Sequence, residues 1–105
     1  MNLEEEFDKA MWGMVDEIQN TFHKVPSRFL PMLSKQGGVA AAKQLLATEK
    51  PSSGFTTLWE SKRFDLSVEA YVLKPHFRSL FTDAERQVAK DRLTAYGYKL
   101  EQDTD

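Results

Sequence analysis

The chain has 105 residues, a formal net charge of −2 and no cysteine. That length suits one domain with one modest core, burying about two thirds of the surface its unfolded chain exposes. Disulfides, thiolate metal sites and a thiol nucleophile are excluded, and no apolar run approaches the roughly 20 residues of a membrane span.

Leu3, Phe7, Met11, Met14, Val15, Ile18 and Phe22 recur at helical spacing, which predicts a long N-terminal helix. Glu4, Glu5, Glu6 and Asp8 stand in its first turns, where the helix dipole favours negative charge. Gly13 costs about 1 kcal/mol in mid-helix relative to Ala, so a second helix is expected to approach closely there. Trp12 lies off the main stripe and reads as edge packing or as a partner contact. This acidic start lacks the basic and apolar regions of a signal peptide, so a cytoplasmic protein is the expectation.

Val25-Pro26 ends the helix, because a residue before proline avoids the helical region. Phe29, Leu30, Met32 and Leu33 follow, with Pro31 limiting them to a short or broken segment. Gly37-Gly38 is a break. Val39, Ala42, Leu45 and Leu46 then mark a compact helix ending before Pro51, and Ala40-Ala41-Ala42 within it permits close contact.

Ser53 reads as the N-cap of a short helix whose buried face is Phe55, Leu58 and Trp59; Thr56, Glu60 and Arg63 share another face. A tight corner at 62–65 follows, and Asp65 reads as the cap of a second short helix. There Leu66, Glu69, Ala70 and Leu73 share one face and Val68 and Val72 another, so the helix is expected to be buried nearly all round. A carboxylate inside it, Glu69, must be paired, hydrogen-bonded or protonated.

Pro75 stops that helix near Leu73 and starts the next turn, which carries Phe77, Leu80 and Phe81 at i, i+3, i+4. Thr82-Asp83-Ala84-Glu85 is a capping box. The last helix buries Val88, Ala89, Leu93, the stem of Arg92 and Tyr96. Gly97 suits its C-terminus with Tyr98 packing back, and residues 100–105 are expected to fray. With no alternating run and no repeat, the fold class is all-α: a single compact domain of five or six helices over 1–99, long N-terminal helix first, and an acidic tail at 100–105.

Charge is segregated. Residues 1–20 carry six acids and one base, whereas residues 21–63 carry seven bases and two acids. The plain reading is solvated helix faces; the functional one is an acidic partner or a nucleic acid.

His23 and His76 are the two histidines and neither lies in a metal-binding spacing, so no metal and no cofactor is expected. Lys50, Ser52, Ser53 and Gly54 form a loop opening onto a helix, a candidate anion-binding loop whose plainer reading is an N-capping turn. Glu60, Arg63, Asp65 and Glu69 form the polar constellation. Paired carboxylates there would serve proton transfer; the favoured reading is a structural network in which Asp65 caps and Arg63 pairs with Glu60 or Glu69. The helix from Leu66 to Leu73 carries no Arg, Lys, Asn or Gln to read bases, which argues against a helix-turn-helix.

The pattern Ser53-Gly-Phe…Leu58-Trp-Glu…Arg63-Phe-Asp-Leu-Ser-Val-Glu69…Val72-Leu73, followed by Phe81-Thr-Asp-Ala-Glu85 and Tyr96-Gly-Tyr98, resembles an uncharacterised family of small bacterial all-helical domains. That family's motif is S-G-F-x-x-L-W-E…R-x-D-L-[ST]-V-E-A-x-V-L, and Phe64 stands where Leu is usual. The resemblance spans most of residues 26–98. It implies a compact domain, alone or attached to a larger protein, and a special role for the corner; it implies no chemistry.

The expected function is therefore a non-enzymatic protein-interaction or adaptor domain, with Trp12, Phe29 and Met32 as the candidate partner surface. The alternative is nucleic-acid or nucleotide binding through the basic middle, and a third is a small enzyme using the corner carboxylates.

Overall fold

Asn2 starts the first helix, α1 (Leu3–Phe22), with a reciprocal cap. Its side chain accepts from the Glu5 amide at 2.8 Å, and the Glu5 carboxylate accepts from the Asn2 amide at 3.1 Å. Two orphan amides are thereby satisfied. His23 ends the helix in the left-handed conformation, φ 56°, with its amide donating to Gln19 O. The computed structural model describes residues 2–24, 26, 28–48 and 63–95.

The expected stripe of α1 is its buried face: Phe7, Met11, Met14, Val15 and Ile18 are in the core, with Leu3 and Phe22 at its edge. The expected close approach at Gly13 is not there, since a Cβ at that position would meet nothing within 4 Å. The close approach is at Gly38, where a Cβ would lie 2.8 Å from Asp8 Cα and 3.2 Å from Asp8 N.

α2 (Phe29–Gln36) is unbroken despite Pro31. The proline is the third helical residue, in the first turn, where no intrahelical bond to its nitrogen is required. Gly37, at φ +86°, is the single residue between α2 and α3 (Gly38–Leu46). Ala41 and Ala42 of α3 are fully buried.

Next come a short 3₁₀ turn, Phe64–Leu66, and α4 (Val68–Val72). The expected cap at Asp65 is corrected: Ser67 is the N-cap, its hydroxyl accepting from the Ala70 amide at 3.1 Å. The corner is a 3₁₀ turn closed by the Leu66 amide on Arg63 O at 3.0 Å, so the helix starts two residues later than the spacing suggested. Lys62 lies outside the described residues.

Pro75 is the first residue of a second 3₁₀ segment, Pro75–Leu80, and α5 (Asp83–Ala95) follows. The capping box is present: Glu85 N donates to the Thr82 hydroxyl at 3.1 Å and Thr82 N to Glu85 Oε1 at 2.9 Å. Phe7 meets Phe77 and Phe81 edge-on, with ring centroids 4.9 and 5.1 Å apart, the preferred arrangement of ring quadrupoles.

α1 and α3 pack together at the glycine contact, α4 lies on α5, and the Phe77 segment closes the α1 side. The Cα radius of gyration, 12.7 Å, is what a chain of this length has when packed as one domain, about 13 Å. The chain is a single all-α domain, with no strand among the described residues. The Ser53 cap, the Phe55/Leu58/Trp59 face and the Tyr96-Gly97-Tyr98 end lie outside the described residues.

Candidate functional site

Glu69 sits on α4 at 2% exposure, and its partner comes from a different helix than expected. Arg92 on α5, 7% exposed, donates from Nη1 to Glu69 Oε2 at 3.1 Å. The same Nη1 donates to the Leu45 carbonyl at 3.2 Å, and Nη2 donates to the Thr48 carbonyl. Thr48 turns back on the helix, its hydroxyl donating to Leu45 O at 2.7 Å. One guanidinium therefore neutralises a buried carboxylate and caps the C-terminus of α3, whose last carbonyls carry the negative end of the helix dipole. Burial pushes the Glu69 carboxyl above its ordinary range, while its own backbone amide and Arg92 oppose that push.

Arg63, expected to pair with Glu60 or Glu69, is therefore not the partner of Glu69. Its Nε and Nη2 fork onto Asp65 at 3.0 and 3.1 Å, and Nη2 reaches Glu17 on α1 at 3.4 Å. This second group is at the surface. Tyr71 stands half-buried beside it; burial, then the charges of Glu17 and Asp65, raise its phenol. Lys74 lies over the Tyr71 ring at 4.4 Å. Arg63, Asp65 and Glu69 therefore do not form one site. Asp65 and Arg63 make an exposed fork, Glu69 is sealed in the core, and Glu60 lies outside the described residues. So do Lys50, Ser52, Ser53 and Gly54.

Two further cross-helix contacts complete the polar framework. Asp8 of α1 accepts from the Gly38 amide at 2.8 Å, placing a carboxylate at the N-terminus of α3. Lys43 of α3 donates to Glu85 of α5 at 2.8 Å and lies 5.6 Å from the Phe81 ring centroid. His76 is exposed and pairs with Glu6 at 3.0 Å, a link between the second 3₁₀ segment and α1. Among the described residues no group of three His, Asp or Glu is arranged to hold a metal.

The candidate partner surface divides. Phe29 is in the core at 5% exposure and is corrected as a surface residue; its i, i+4 partner Leu33 is buried with it. Met32 is half-buried, and Trp12 is 39% exposed. Sequence reasoning had Arg92 only as a buried stem. Its role needs Glu69 and residues 45–48, and local spacing carries no sign of either. No described helix is long and apolar enough to cross a membrane. No protein-family model, curated protein or solved structure matches the chain.

Proposed function

We propose that the chain is a non-enzymatic protein-interaction domain. The observation that carries this reading is Trp12, a large aromatic held 39% exposed on the outer side of the longest helix. Aromatic side chains of this kind anchor protein interfaces, because they bury much area at little entropic cost. The corner carboxylates support the same reading. Glu69 is committed to Arg92 and the Asp65 carboxylate to Arg63, which suits architecture rather than proton transfer. On this reading the domain works in the bacterial cytoplasm, alone or attached to a larger protein, as the motif resemblance over 26–98 implies.

The test is co-purification from the native host at moderate salt, comparing the wild type with Trp12→Ala. A stoichiometric protein partner retained by the wild type and lost or weakened in the variant, with thermal melting unchanged, is the expected result. Recovery of nucleic acid alone turns the reading to the basic middle of the chain. Retention of a small molecule alone turns it to catalysis or nucleotide binding.

A further inference from the structure

From Thr21 to Thr48 the sequence contains no acidic residue, and it contains four bases: Lys24, Arg28, Lys35 and Lys43. The structure separates these four. Lys43 is committed to Glu85 and to the Phe81 ring. Lys24, Arg28 and Lys35 are exposed and, among the described residues, have no hydrogen-bonded or ion-paired partner. Arg28 and Lys35 are seven residues apart across α2, and Met32 stands between them, four residues from the first and three from the second. With Pro31, these residues share one side of the helix. The opposite side carries Phe29 and Leu33, which are buried. The outer face of α2 is therefore a half-buried methionine and an exposed proline flanked by two free cations, with a third at the end of α1.

We infer that this face of α2 docks an acidic protein segment, one that places an apolar side chain on Met32 and Pro31 and carboxylates beside Arg28 and Lys35. The inference rests on the interaction reading and adds the chemistry of the partner. Charge complementarity selects it: this stretch has no acid of its own to answer its cations, and the unpaired field steers carboxylates to it. Methionine between cations is an adaptable apolar seat, since its unbranched thioether repacks around differing side chains. A duplex is disfavoured as the occupant. The overall charge is −2, and the acid-rich α1 belongs to the same compact domain.

The test measures binding of a labelled helical peptide bearing leucine flanked by glutamates. Its controls are the same peptide with lysines for glutamates, a short DNA duplex, and phosphatidylserine vesicles. The expected result is binding of the glutamate peptide alone, weakened about tenfold or more in the Arg28→Glu/Lys35→Glu variant and by raised salt. The variant should keep wild-type melting, because both side chains are exposed. Equal binding by wild type and variant overturns the proposal, as does preference for the duplex, the vesicles or the lysine peptide. Co-purification separates the two readings. A partner retained undiminished by the double reversal removes this face and leaves the interaction domain standing, whereas no protein partner and no peptide binding remove both.

Discussion

Gly13 and Gly38 differ in what surrounds them, and that difference fixes the sign of two substitutions. A methyl group at Gly13 meets open space in mid-helix, so Gly13→Ala is expected to stabilise by about 1 kcal/mol through the backbone entropy it removes. At Gly38 the methyl would stand 2.8 Å from Asp8 Cα, a backbone atom unable to swing aside. Gly38→Ala must push α1 from α3 and is expected to cost about 1–3 kcal/mol. Paired urea titrations read both signs. Arg92 is the other residue on which much depends. Arg92→Ala leaves a buried carboxylate unpaired and is expected to cost about 3–5 kcal/mol in the same titrations. The double substitution Glu69→Leu/Arg92→Met removes the charges together, yet should recover only part of that loss, because the guanidinium's bonds to the Leu45 and Thr48 carbonyls are still lost. The sequence showed that Glu69 required a partner. It could not show which, since Arg63 is six residues away and Arg92 twenty-three, and only packing of α4 on α5 chooses between them.

At the scale of elements, what was legible was what is local. The stripe of α1 and the Thr82–Glu85 box depend on residues within a turn or two of each other, and both are as spacing predicted. The α4 start was misread because Asp65 and Ser67 are both good caps; Asp65 is taken by the Arg63 fork, and the extended backbone at Ser67 wins. Glu85 joins two elements, capping α5 while holding Lys43 of α3. Burial raises its carboxyl, but the Lys43 hydrogen bond and the Thr82 amide outweigh burial and hold it below its ordinary value of 4.5. The stability this adds is present above the ordinary value and is lost as pH falls through the lowered one. Glu85→Gln keeps a side chain suited to the box, so it should cost only about 0.2–1 kcal/mol at neutral pH. It should also flatten the acid limb of stability against pH, which thermal melts over pH 2–7 would record.

At the scale of the molecule, the one-domain, all-α outcome followed from composition and helical periodicity. The division of the charged residues into structural and free did not. Six acids in the first 20 residues look alike in the sequence, yet Asp8 caps α3, Glu6 meets His76 and Glu17 meets Arg63. The bases divide the same way: Lys43, Arg63 and Arg92 are paired with carboxylates, whereas Arg28 and Lys35 on α2 are among the described bases that are not.

α3 has nine residues, too few to hold helical structure in water on its own. Its first amide is bound by Asp8 from α1 and its Leu45 carbonyl by Arg92 from α5, thirty residues before and forty-seven after the groups they serve. A helix whose two ends are closed by distant parts of the chain has no stable life apart from the whole. Its amides should therefore exchange hydrogen only when the entire domain opens, at the slow global rate, while α1, which carries its own box, frays from Asn2 independently. In this sense α3 is the keystone of the assembly: the span whose loosening reports that the rest has already gone.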